Sequence, residues 1–273
     1  MSRLIHPSAV VDPSAELASG VKIGAYAVVG ADVVLGDDTE LGAAAQVMGP
    51  TVMGRGNRVF ANACVGFEPQ DLKFKGEVTR LEVGDGNSFR EFCTVHRGTG
   101  EGGGLTSIGS DNLFMAYTHV AHDCRVGNRT VFSNGGTLAG HVDVFDDAVV
   151  GAYSAVHQFC RVGRHAYIGG YSVITQDALP FVKTVGHRPA VYGINKVGLE
   201  RKGMEPEAVK RLQEAYRVLV KSGLSTSNAL SELRAEHAGL PEVDELIEFV
   251  ASSKRGVIKS LPGAGRSRGG SGG

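Results

Sequence analysis

The chain has no tryptophan, and aromatic residues make up only 7% of its 273 positions. So few rings argue against a core built on large aromatic side chains and for small repeating units. Cysteine is scarce as well. Cys64, Cys93, Cys124 and Cys160 include no CxxC pair. A disulfide framework is not expected in a chain this long without an export signal, so a reducing, cytoplasmic setting is the expectation. The opening stretch MSRLIHPSAVVDPS lacks the apolar segment of a secretory signal. No run of 18 apolar residues occurs either, which argues against a stable membrane insertion. Charge of either sign is not in excess: 28 basic against 29 acidic residues leave a net charge of −1. That balance gives no reason to expect a nucleic-acid partner or an anionic membrane surface.

What is abundant is glycine, at 39 residues. Much of it follows a repeat of six. Stepping by six from Ile5 meets Val11, Leu17, Ile23, Val29, Leu35, Leu41, Val47, Met53, Val59 and Val65. The register lapses at Asp71 and Glu77, returns at Val83, Phe89 and Val95, and restarts one residue late at Ile108. It then runs unbroken to Ile174. This period fits neither a helix nor an alternating strand. With the aliphatic position called i, position i−2 is usually small and i+1 is often glycine. Residues i and i−2 then share one face of a short strand, and a turn tolerant of glycine follows. Three such units make an 18-residue triangular coil, and coils stack at the strand spacing of about 4.8 Å into a parallel β-helix. Cys93, Cys124 and Cys160 occupy i−2 and are expected to serve as small apolar residues.

Two segments lack the repeat and are expected to loop out: the first, at 66–82, contains GFEPQDLKFKGEVTR, and the second is HRGTGEGGGLTS at 96–107. Beyond about residue 190 the pattern turns helical. Pro206 lies near one helix start, Ser225 or Thr226 is placed to cap a second, and Pro241 to open a third. The expected organisation is a β-helix over 1–190, a small helical domain over 191–260, and a flexible glycine- and serine-rich tail over 261–273.

Five of the nine histidines fall between His96 and His157. Coil arithmetic places His119 at i−1, facing outward, and His122 at i+2, near a corner. Residues 18 apart stack, so His122, Gly140 and Gln158 form one column, Asp123, His141 and Phe159 the next, and Ala121, Ala139 and His157 the one before. Three readings follow. The histidines sit on a solvated corner by accident, or they ligate zinc, or one of them is an acid–base catalyst. His119 and His122 alone make a poor metal pair, because an extended chain holds them up to ~10 Å apart.

The hexapeptide pattern resembles that of the left-handed parallel β-helix acyltransferases. The stretches QDLKFKGEVTR (70–80), VHRGTGEGGGLTSIGSDNLFMAYTHVAHDCRVGN (95–128), LAGHV (138–142), AVHQFCRVG (155–163), and GIN with GLERKG (193–203) resemble the UDP-N-acetylglucosamine O-acyltransferase family of lipid A synthesis. The resemblance supplies the left-handed sense, since the general rule for β-crossovers is right-handed. It implies transfer of a 3-hydroxyacyl chain from acyl carrier protein to the sugar 3-hydroxyl of UDP-N-acetylglucosamine. It also implies a homotrimer and no metal or other cofactor. By the same resemblance His122 is the general base, Asp123 orients it, and the Gly140 N–H is an oxyanion donor. Gln70, Asp71 and Lys73 in the first loop are substrate-binding. So are His119, His141, His157 and Gln158 in the cleft, and Asn195, Arg201 and Lys202 after it. Gly170 matches the position that limits acyl length. Lys202 stands where that family has Arg, and Val197 where it has Glu. Arg164, Lys196, Arg201, Lys202 and Lys221 are candidates for a basic patch that meets the acidic carrier protein. The N-acyltransferase paralogue of the same pathway and a zinc carbonic anhydrase-like hexapeptide protein are the alternative readings.

Overall fold

A computed structural model describes residues 4–237 and 239–263; of the tail expected at 261–273, residues 264–273 lie outside that range. Strands of two to five residues follow one another from Leu4–Ile5 to Ala190–Ile194. Every third strand falls in the same sheet, giving three sheets of 11, 9 and 8 strands. Pairing is parallel and mostly advances by 18 residues, as in His119 opposite Thr137 and Thr137 opposite Ala155. The result is a parallel β-helix.

The centre is made by the repeat. Val29, Leu35, Val47, Val120 and Leu138 are almost fully buried. Phe89, Phe114 and Phe132 fill successive coils of the first sheet, with stacked rings 5.0 and 4.9 Å apart. Cys93, Cys124 and Cys160 are unpaired and buried. Burial pushes their thiols up to about 12, 12 and 11, so they pack as small apolar groups and stay protonated at neutral pH.

The reason for glycine at i+1 differs from expectation. The left-handed conformation falls at i+3, where Tyr26, Asp38, Tyr117, Asp123, His141, Asp147, Phe159 and His165 all have φ between 55° and 63°. Glycine at i+1 instead answers to stacking. A Cβ on Gly36 would lie 2.5 Å from the Gly54 carbonyl carbon of the next coil. These corners therefore set a side chain on an unusual backbone, exposed at Tyr26 and Tyr117 and turned inward at Asp123 and His165.

The loops are shorter than expected. The strand Cys64–Phe67 runs on into the first, and Arg80–Val83 and Leu105–Ile108 pair side by side, leaving 68–79 and 97–104 outside the strands. Register crosses the first loop as Cys64 opposite Thr94 and the second as Thr94 opposite His119. Both loops leave the same corner of the coil.

The parallel stack ends in an antiparallel hairpin, Val182–Val185 with Ala190–Ile194. Among the described residues four α-helices follow: α1 Lys196–Arg201, α2 Pro206–Tyr216, α3 Thr226–His237 and α4 Pro241–Ala251. Pro206 and Pro241 each open their helix, where a missing N–H costs nothing. Helix α2 continues into a π-helical turn at Arg217–Lys221. The chain then returns to the coil: Ile258 N donates to Asp177 O, and the Arg161 guanidinium, paired with Asp177, reaches the Phe249 carbonyl of α4. These bonds fix the helices against the last coil.

Candidate active site

The corner between the second and third sheets carries the histidine cluster. Val120 is the buried centre of its unit, and the chain turns through Ala121, His122 and Asp123 before Cys124 returns inside. Asp123 adopts φ 60° and folds its side chain back into the corner, where it is 1% exposed. Its Oδ2 lies 2.7 Å from His122 Nδ1. The carboxylate also accepts the Thr99 N–H at Oδ1 (2.9 Å) and the Thr99 hydroxyl at Oδ2 (2.7 Å). A buried carboxylate is costly unless its lone pairs are filled, and here three donors fill them. Because a carboxylate only accepts, the bond to His122 places the proton on Nδ1 and leaves Nε2 as the lone-pair nitrogen of the neutral ring.

Gly140, one coil on, sits against that ring. A Cβ there would come within 2.6 Å of His122 Cε1 and 2.8 Å of Nε2. The stacking inferred from the 18-residue period is thus direct contact, and only glycine leaves the imidazole its position. Among the described residues the Gly140 N–H meets no backbone acceptor. His141 extends the cluster. Its ring meets His122 edge-on at 5.2 Å, lies flat on Phe159 at 4.5 Å, and brings Nε2 to 3.7 Å from Asp123 Oδ2.

His119 projects from the neighbouring strand, half-buried, with Nδ1 2.8 Å from the Thr94 hydroxyl. Its edge faces His96, whose ring is 5.0 Å away. Burial, with the nearby charges of His119, His122 and Arg97, lowers the His96 imidazole to about 4. Burial and then His122 lower His119 as well. These rings are held neutral near pH 7, because burial penalises their protonated forms.

The two loops brace each other beside this corner. Glu77 accepts the Gly100 N–H at 3.0 Å, and Lys73 pairs with Glu101 at 3.1 Å. Asp71 caps its own turn by accepting the Lys73 N–H, and Gln70 is exposed. His157 and Gln158 are exposed on the following coil, His157 turning Nδ1 toward the Gln158 carbonyl at 3.2 Å.

Other expected residues lie elsewhere. Asn195, Arg201 and Lys202 line a cavity of about 570 Å³ with Asp147 and His165, at the corner between the third and first sheets. Asn195 caps α1 through the Gly198 N–H and donates to the His165 carbonyl. Lys202 is bonded to Asp147 at 2.8 Å. Gly170 is at the remaining corner, next to Tyr171, whose ring stacks on Tyr153 at 5.4 Å. One chain therefore divides the expected residues among three edges of the prism. The expected basic patch is also reduced: Arg164 is paired with Glu245 at 2.6 Å and Lys196 with Glu200 at 3.6 Å.

His122, Asp123 and His141 offer ligand atoms within 4.8 Å of one another, a spacing that a metal could span. The donor set fits a metal poorly. The nearest pair is 2.7 Å apart, the length of a hydrogen bond, and Thr99 already occupies the carboxylate. Sequence reasoning missed Thr99 and the two loop braces, because they depend on where loop 97–104 folds back.

A hexapeptide repeat wound as a parallel β-helix, with an imidazole–carboxylate pair at a corner, fits the class of hexapeptide acyltransferases. Comparisons narrow it. Residues 177–258 match the family model of the second domain of UDP-N-acetylglucosamine O-acyltransferase. An acyl-[acyl-carrier-protein]--UDP-N-acetylglucosamine O-acyltransferase of Alkalilimnicola ehrlichii is 51% identical over 197 residues, 72% of this chain and 76% of that protein. The enzyme of the same name from Burkholderia orbicola is 46% identical over 211 residues, covering 76% and 80%. The solved structure of UDP-N-acetylglucosamine O-acyltransferase from Moraxella catarrhalis superposes with a TM-score of 0.90 at 40% identity, over 93% of this chain and 99% of that one. The chain belongs to the UDP-N-acetylglucosamine O-acyltransferase family.

Proposed function

We propose that the chain transfers a 3-hydroxyacyl group from the thioester of acyl carrier protein to the 3-hydroxyl of UDP-N-acetylglucosamine, the first step of lipid A synthesis. One observation carries the chemistry: His122 is bonded through Nδ1 to buried Asp123 and packed through its other edge against Gly140. His122 Nε2 takes the proton of the sugar hydroxyl as that oxygen attacks the thioester carbonyl. Asp123 holds the ring and balances the imidazolium that forms. The Gly140 N–H faces the oxygen that becomes negative. Collapse of the tetrahedral intermediate breaks the carbon–sulfur bond, and His122 returns its proton to the departing thiolate. Base assistance of this kind supplies ~10²–10⁴-fold, and one oxyanion donor ~10²–10³-fold. No cofactor enters beyond the pantetheine of the donor.

Asp71 and Lys73 in the loop, with Gln70, His119, His141, His157 and Gln158, form the substrate cleft in this reading, and Asn195, Arg201 and Lys202 hold the nucleotide end. These groups lie on different edges of one prism. A cyclic homotrimer, which sets an edge of one copy against an edge of the next, joins them into one cleft. Gly170 leaves space at its corner for a longer acyl chain than a bulky residue would.

Incubation with UDP-N-acetylglucosamine and 3-hydroxyacyl carrier proteins of several lengths, followed by mass spectrometry, tests the reaction. An acylated nucleotide sugar with an ester at the 3-position is expected; none at any length overturns the reading. Light scattering on the same sample tests the trimer.

A further inference from the structure

Asp123 accepts three hydrogen bonds, and two of them come from a single residue of the second loop. Thr99 gives its backbone N–H to Oδ1 and its hydroxyl to Oδ2, at 2.9 and 2.7 Å. Thr99 is 3% exposed, so water does not compete for these bonds. The direction of the hydroxyl is fixed. Thr99 Oγ1 accepts the Gly102 N–H at 3.1 Å, and an N–H can only donate. The hydroxyl proton therefore points to Asp123. The loop closes over this contact: Gly104 N donates to the Thr99 carbonyl, and a Cβ on Gly102 would overlap the Asp123 carboxyl carbon at 2.1 Å. From below, Thr106 Oγ1 accepts the Asp123 backbone N–H at 2.7 Å, which holds the left-handed turn.

We infer that Thr99 is a positioning residue for the His122–Asp123 pair, fixing the carboxylate so that His122 keeps its proton on Nδ1 and turns Nε2 to the substrate. The inference rests on the acyl-transfer reading for its kinetic consequence, and on geometry alone for its structural one. Asp123 follows His122 directly in sequence, and its own side-chain torsions leave several carboxylate orientations. The one it adopts brings Oδ2 to 2.7 Å from Nδ1. The Thr99 N–H and hydroxyl grip both oxygens and select that orientation. The same loop carries Glu101, which pairs with Lys73 of the first loop. A substrate contact at Lys73 and the carboxylate of the catalytic pair are thus held by one short segment.

The test combines Thr99→Val, Thr99→Ser, Asp123→Ala and the Thr99→Val/Asp123→Ala double variant, with circular dichroism to check folding. Thr99→Val is expected to lower kcat about ten- to thirtyfold while KM for both substrates stays within about threefold. Thr99→Ser restores the hydroxyl and is expected to keep at least about a third of wild-type kcat. In the double variant the Thr99 substitution adds no further loss, because the group it acts through is gone. Nitrogen NMR of His122 reads the proton directly: the Nδ1–H form dominates in the wild type, and the Nε2–H form gains population in Thr99→Val. If valine unfolds the chain, Thr99→Ala replaces it in the same cycle. A kcat within threefold of wild type, losses that multiply in the double variant, or an unchanged tautomer overturns the inference. A wild-type protein without acyl transfer overturns the functional reading instead, and the tautomer measurement still judges Thr99.

Discussion

Two corners of the prism place an aspartate in the same backbone slot, i+3, with a histidine beside it, and they put it to different use. At the first corner Asp123 has φ 60°, lies 3.7 Å from His141 one coil on, and meets His122 of its own turn at 2.7 Å; at the second Asp147 has φ 59° and lies 4.0 Å from His165 one coil on, with no histidine in its own turn. Both carboxylates are nearly inaccessible. The partners differ in charge. Asp123 is bonded to neutral donors of Thr99 and to an imidazole. Asp147 is bonded to the Arg129 guanidinium and the Lys202 ammonium. Burial pushes the Asp147 carboxyl up, but the bonds from Arg129 and Lys202 outweigh it and hold it below the usual range. The charge of Asp147 is thereby matched, while that of Asp123 is left to act on its histidine. The same turn gives a clamp in one place and an imidazole–carboxylate pair in the other, and neighbouring side chains decide which.

The largest expected effect breaks this contrast at its centre. His122→Ala should lower kcat by ~10²–10⁴-fold, the range of a lost general base, while the chain still folds because Thr99 keeps two hydrogen bonds on the Asp123 carboxylate. His165→Ala, at the second corner, should leave kcat within about tenfold, since its Asp147 keeps two cationic partners. Steady-state kinetics on both variants decide. Equal losses would mean that the two corners share the chemistry.

A smaller loss is expected from Gly140→Ala. Its φ is not in the left-handed region, so the effect is steric: the new methyl would lie 2.6 Å from His122 Cε1 and must displace the ring. About a hundredfold fall in kcat is expected, as for an active-site group moved by an ångström. A crystal structure should show His122 rotated away from Asp123. Activity near wild type would place the reacting hydroxyl elsewhere.

Much of this was legible in the sequence. The six-residue period and the 18-residue stacking of Gly140 on His122 follow from residue identity alone, because each coil repeats one geometry. The three helices opened by Pro206, Thr226 and Pro241 carry local signals. Position i−2 was less legible at Asn57, Asn87 and Asn112, which are buried where small residues are the rule. Each amide bonds across coils, as when Asn87 Nδ2 gives to Asn57 Oδ1 of the coil before and to the Gly109 carbonyl of the coil after. A polar residue at an inward position looks like a break in the repeat until its ladder is seen. The grip of Thr99 on Asp123 was illegible for a related reason: loop 97–104 has no repeat, so no arithmetic places it. The hairpin at 182–194 and the short helix α1 also escaped, since neither carries a periodic signal long enough to detect.

The smallest expected effect separates the corners by pH. His96, beside the first, has a folded value of about 4 against 6.5 unfolded, with burial the main cause. A histidine lowered in this way binds its proton less well when folded. Its neutral form costs nothing above 6.5, and the fold loses stability as pH falls from about 6.5 toward 4. The loss attributable to this one ring is on the order of 2–3 kcal/mol. His165 at the second corner is lowered too, by burial first, but Asp147 opposes the shift. Replacing His96 with Gln should therefore flatten the stability profile between pH 6.5 and 4 more than the same change at His165. Urea unfolding of both variants at pH 7 and pH 4.5 measures the difference. If the two profiles flatten equally, Asp147 does not offset the burial of His165, and burial alone sets both rings.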